Sequence, residues 1–169
     1  MRDNIECGRP ILSGLQHYQV YSDLVALSDQ DRIEANYYFR QMRKEHPDAF
    51  FIFNDRPVED WIKSRIGHEG GPGGSFIGRS ASALGVSVED VPDIWRQQYA
   101  EHKQAVLAHF EGHDRFLHFE LGKGGPEQLI HFFGKALPLD LRKWRHAGSA
   151  ADRKRKQEIR AMQSGDSLV

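Results

Sequence analysis

Four apolar residues in a row, Phe50-Phe51-Ile52-Phe53, set between Pro47-Asp48 and Asn54-Asp55, constrain this chain more than any other stretch. An unbroken apolar run bounded by turn formers reads as a short strand buried on both faces, and such strands belong to parallel sheets covered by helices. A helix follows almost at once. Asp55 or Arg56 can cap it, Pro57 is preset for its first turn, and Glu59 and Asp60 suit its positive end. Val58, Trp61, Ile62 and Ile66 then supply an inward stripe. The fold class is therefore α/β. In an open α/β sheet, ligands bind in the crevice at the carboxyl end of a strand, beside the following helix. Arg56 occupies that point, and Ser64, eight residues on, falls at the border of the apolar stripe.

The flanking sequence fits a parallel arrangement. Gly8-Arg9-Pro10 and Ser13-Gly14 break any long helix near the start, and Tyr18 and Val20 alternate weakly like an extended piece. Residues 29–46 read as a helix capped by Ser28 or Asp29, with Ile33, Tyr37, Phe39 or Arg40, and Met42 at helical spacing. His68 to Phe76 is too rich in glycine for regular structure and serves either as a lid or as a plain connection; it lacks the ending of a P-loop. Ser80 to Leu84 is one short helix stopped by Gly85. Val91-Pro92 opens a long helix to Phe110, with Trp95, Tyr99, His102, Val106 and Phe110 on one stripe. Arg115 to Leu121 is a second strand. Two strands joined by about sixty residues of helix and loop pair in parallel through a crossover. Helices over 127–133, ended by Gly134, and over 149–162 complete the chain, with 163–169 frayed.

At 169 residues and 39% hydrophobic content the chain is sized for one domain with a core of its own. A net charge of −1 leaves no global basic field for nucleic acid or an anionic membrane, so an anion site has to be local. The lone Cys7 gives neither an internal disulfide nor a metal-binding pair. No stretch has transmembrane length and the first ten residues lack a signal peptide's apolar segment, so a cytoplasmic location is expected. His109 and His113 sit at a helix end and His118 on a strand, with no acidic partner arranged around them; no metal is expected.

An arginine just after a buried strand and a serine eight residues later on the next helix resemble the 3′-phosphate motif of sulfotransferases that use 3′-phosphoadenosine 5′-phosphosulfate (PAPS). Residues Val58 to Arg65 resemble a bacterial branch in which the helix reads like "DVEDWIxSR". Trp95-x3-Tyr99-x2-His102-x3-Val106, the Arg115 to Leu121 strand ("RLLVFDL" in that branch) and an early "GRPxLxGLxxYxxxSD" segment extend the likeness over residues 8–146. The resemblance implies a P-loop-NTPase-like parallel sheet flanked by helices. It also implies a nucleotide donor, PAPS, whose 3′-phosphate pairs with the fork of Arg56 and the hydroxyl of Ser64. Lys143, within Lys143-Trp144-Arg145-His146, falls where the family brings further basic groups to the nucleotide. Asp23 and His17 become candidate acceptor-side groups, and His102 and Asp23 are the candidate catalytic residues.

Each of these residues also has a plainer reading. Arg56 can cap or salt-bridge, Ser64 can be an ordinary helix serine, Asp23 a solvated loop residue and His102 a core histidine. The family's leading strand, "PKTGTTS" loop and helix have no counterpart in the sequence, so the resemblance implies a sheet truncated at that end. Two expectations follow: a sulfotransferase acting on a small-molecule or carbohydrate hydroxyl or amine, or an inactive nucleotide-binding or interaction remnant of that fold. A truncated sheet also leaves the Phe50 strand with an open apolar edge through which two copies can pair.

Overall fold

The computed structural model describes residues 1–27, 32–68 and 74–140. The expected cap at Ser28 or Asp29, most of the glycine-rich loop, Lys143 and its basic neighbours, and the 149–162 helix lie outside the described residues. Two compact units are distinguished, Met1–Gly124 and Gly125–Val169.

In the first unit, β3 (Phe51–Asp55) and β4 (Phe116–Glu120) form a parallel pair with Phe51 opposite Phe116 and Asp55 opposite Glu120. The fold is thus mixed α/β, and the parallel sheet has two strands among the described residues. The expectation that β3 is buried on both faces is not met. Its burial alternates: Phe51, Phe53 and Asp55 turn inward while Ile52 is 41% exposed. On the inward face Phe39, Val106 and Phe110 pack against Phe51, Phe53 and Phe116.

A second correction concerns residues 29–46. β1 (Val25–Leu27) and β2 (Arg32–Glu34) pair antiparallel, a 3₁₀ turn spans Ala35–Tyr38, and α2 occupies only Phe39–Glu45. Ile33, Glu34 and Ala35 are buried consecutively, a pattern no helix face can produce, and Asn36-Tyr37-Tyr38 are weak helix formers. The weakly extended piece near Tyr18 and Val20 carries no strand; the strand lies further on, at β1. Upstream, α1 (Arg2–Glu6) is followed by a loop tied down by Asn4, whose Nδ2 donates to the Ile11 and Ser13 carbonyls.

α3 (Val58–Ile66) and α5 (Val91–His109) form where the sequence places them, and α4 (Phe76–Leu84) is one turn longer at its start. Ser75 Oγ caps α4 by accepting the Gly78 N–H at 3.2 Å, and Gly85 ends it at φ 68°, a left-handed turn that glycine takes without strain. α5 is the spine of the unit. Its amino-terminal half packs Val91 and Trp95 against Ile62 and Ala81, with Val58, Trp61, Phe76, Ile77 and Val86 around them. Val106 in its carboxyl-terminal half and Phe110 just past its end pack on α2 and the sheet. Tyr99, His102 and Lys103 fall between the two apolar clusters. In the second unit, α6 (Pro126–Phe133) starts at a proline and ends at Gly134. No helix among the described residues is long and apolar enough to cross a membrane.

Candidate functional site

Asp55 closes β3, so its side chain stands at the carboxyl end of the parallel pair, on the face that α5 covers. It is 2% exposed, and an ionised carboxylate there needs partners. Three converge on it. Lys103 Nζ lies 2.6 Å from Oδ2, His118 Nε2 lies 2.7 Å from the same oxygen, and the Tyr99 hydroxyl meets Oδ1. Tyr99 and Lys103 are one turn apart on α5, so a single helix face delivers both. His118 arrives from β4, where it pairs with Phe53 in register and therefore shares the face of Phe53 and Asp55. The Tyr99 hydroxyl also lies 2.8 Å from the Arg56 carbonyl and accepts the Arg56 N–H at 3.3 Å, which joins this cluster to the first residue after the strand.

Burial on its own raises the Asp55 pKa, but the hydrogen bonds from Lys103, Tyr99 and His118 outweigh it and hold the carboxyl at about 2. Burial, then the Asp55 carboxylate, push the Tyr99 phenol up to about 12. A carboxyl depressed from its ordinary 3.8 stabilises the fold fully above about pH 4, and that contribution is lost as pH falls through 2. At about 1.4 kcal/mol per pH unit the effect is on the order of 2 kcal/mol. Urea unfolding of the native chain is expected to lose more stability between pH 5 and pH 2 than that of Asp55→Asn. Parallel pH curves would show that Asp55 is not held ionised by this cluster.

The residues picked out in the sequence are distributed as follows. Arg56 sits at the start of the β3–α3 turn with its guanidinium laid along α3, Nη2 donating to the Asp60 carbonyl at 2.5 Å. It does not cap the helix with its side chain, and neither does Asp55; Pro57 is the cap residue. Ser64 is exposed on α3 rather than at the edge of the buried stripe. The inward position expected for Ile66, which is 44% exposed, belongs instead to Arg65. His102 is packed edge-on against Tyr37, Phe39 and Phe53, and burial lowers its pKa. Its Nε2 stands 3.5 Å from Asn36 Nδ2, so it has the surroundings of a core histidine. Asp23 is exposed, in a left-handed conformation at φ 50°, and His17 is exposed against the Tyr18 ring. The structure thus joins Arg56 to the carboxyl end of β3 and does not bring Asp23 or His17 to it.

Asp55, Tyr99, Lys103 and His118 are the members that sequence reasoning passes over as a group. Asp55 reads as a helix cap and Tyr99 as part of an apolar stripe. One signal was available: His118 interrupts an apolar strand at the place where the resembling "RLLVFDL" has valine. The expectation that the histidines lack an acidic partner is corrected by Asp55, although among the described residues no three metal-binding side chains converge. Comparison with protein families, with curated proteins and with solved structures finds no match to this chain.

Proposed function

We propose that the carboxyl end of β3 holds an adenosine nucleotide through its 3′-phosphate, on a P-loop-NTPase-like sheet of the PAPS-dependent sulfotransferase kind. The reaction is transfer of a sulfuryl group to a hydroxyl or amine of a small molecule or carbohydrate. One observation carries the reading. Arg56 follows a parallel strand directly and runs its guanidinium along α3 to the Asp60 carbonyl, one turn before the exposed Ser64. Positions four apart share a helix face, so the planar fork and the hydroxyl are offered to the same side. A phosphate dianion there gains a charge-assisted pair from Arg56 and a hydrogen bond from Ser64. Lys143 is assigned to the same nucleotide from the sequence resemblance alone. Such transfer works by positioning and by cationic stabilisation of the leaving phosphate, without a metal.

The test is calorimetry with adenosine 3′,5′-bisphosphate and adenosine 5′-phosphate. Arg56→Ala is expected to weaken the bisphosphate by about 1.5–3 kcal/mol, the worth of a hydrogen bond to a charged group, and to leave the monophosphate nearly unchanged. Asp60→Asn, which removes a negative charge from the same helix turn, is expected to strengthen the bisphosphate selectively. Equal losses of both nucleotides in Arg56→Ala would assign Arg56 to the fold and end this reading.

A further inference from the structure

His118 is held at one nitrogen only. Its Nε2 lies 2.7 Å from Asp55 Oδ2, the side chain is 30% exposed, and Nδ1 has no hydrogen-bond partner among the described residues. An ionised carboxylate only accepts, and Asp55 stays ionised down to about pH 2. In the neutral imidazole the proton therefore sits on Nε2, and Nδ1 is left as a lone pair facing outward. The other groups around the ring do not compete for that lone pair. Lys103 is spent on Asp55, Tyr99 donates towards Asp55 and the Arg56 carbonyl, Phe53 offers its ring, and Glu120 on the same strand is paired with Lys123. His102, the other histidine near Phe53, has its ring enclosed by aromatic neighbours.

We propose that His118, oriented by Asp55, is the proton acceptor of this site and takes the proton of a bound hydroxyl at Nδ1. The geometry of the pair stands by itself; its use in sulfuryl transfer rests on the reading above. In that use the acceptor O–H gives its proton to Nδ1 as its oxygen forms the new bond to sulfur. The bond from sulfur to the phosphate oxygen breaks, and adenosine 3′,5′-bisphosphate leaves with that electron pair. No oxidant or metal enters the balance. Asp55 acts as a positioning residue that fixes the tautomer and stabilises the imidazolium once it forms.

The decisive measurement is the tautomer of His118 in the native chain, read from long-range ¹⁵N–¹H correlations at neutral pH. The Nε2–H form is expected, and an Nδ1–H form would overturn the proposal without recourse to any variant. A second readout is carbethoxylation by diethyl pyrocarbonate, in which a free ring nitrogen attacks the reagent's carbonyl and ethyl carbonate leaves. His118 is expected to be modified in the native chain. In Asp55→Asn, whose amide donates to Nε2 and forces the proton onto Nδ1, modification relative to the exposed His17 is expected to fall at least roughly tenfold. The same tautomer error in a Ser-His-Asp site costs far more than that. An unchanged His118:His17 ratio would overturn the proposal. Calorimetry with adenosine 3′,5′-bisphosphate on the native chain separates the two readings, because the tautomer is read without any nucleotide. A native chain with the Nε2–H tautomer and no affinity for the bisphosphate would end the nucleotide reading and leave the dyad standing.

Discussion

Trp95→Ala is expected to remove about 3–5 kcal/mol of stability, the range for deleting a large aromatic side chain from a core that cannot fully collapse. Trp95 has no exposed surface and sits where α3, α4 and α5 meet, among Ile62, Ala81 and Val91. Its ring centre lies 6.2 Å from that of Trp61 and 5.9 Å from that of Phe76, with the Arg65 guanidinium 4.8 Å above it. Alanine would empty the space shared by all of these at once. Collapse is blocked because Trp61 and Phe76 are themselves fixed by Arg65. Trp95→Phe should cost much less, since it keeps a ring and deletes an indole N–H that is buried without a partner among the described residues. Chemical denaturation of both variants makes the comparison. A loss below about 1 kcal/mol for alanine would mean that the three helices do not share this core. The same helix carries Tyr99 and Lys103, so loosening its amino-terminal half also loosens the Asp55 cluster.

The elements that the sequence announced are those with local signals. The β3–Pro57–α3 passage, the Gly85 stop after α4, the stripe of α5 and the β4 strand all depend on neighbours a few residues apart, and all are present. The parallel pairing of β3 with β4 followed from the length of their connection. What failed depends on distant partners. Nothing near Glu34 reveals that it is buried against Arg65, thirty-one residues away, so the segment before α2 reads as helix although it forms β2 and a 3₁₀ turn. Ile66 lost the inward position to Arg65 for the same reason, because three aromatic rings and one carboxylate reward a guanidinium there more than a methyl group. The candidate site was half legible. Arg56 and Ser64 were visible as a spacing, but Asp55 meets Tyr99 across forty-four residues and His118 across sixty-three. Polar residues embedded in apolar stripes were the only local trace of that convergence.

Glu34→Ala is expected to be about as damaging as the loss of Trp95, for an electrostatic reason. Glu34 is 6% exposed, and its Oε1 receives Arg65 Nη2 at 2.6 Å and Arg32 Nε at 2.6 Å. Arg65, with a side chain 13% exposed, is enclosed by the rings of Trp61, Phe76 and Trp95, and Arg32 also donates to Gln98 Oε1 at 3.1 Å. Removing the carboxylate leaves guanidinium groups buried without their counter-charge, which typically costs about 3–5 kcal/mol. That figure is the cost of breaking the pair and not what the pair contributes over an apolar replacement. Glu34→Leu combined with Arg65→Met should therefore recover much of the loss, and the recovery stays incomplete because Arg32 remains charged. Acid should act like the single substitution. Burial raises the Glu34 pKa, but Arg65 and Arg32 together bring it below the ordinary 4.5, so the contribution is present above that value and fades as pH falls through the lowered one. Unfolding measured at neutral pH and at successively lower pH below the ordinary 4.5 is expected to show Glu34→Ala converging on the native chain in acid. A gap that stays constant with pH would assign the loss to packing around the glutamate stem rather than to its charge.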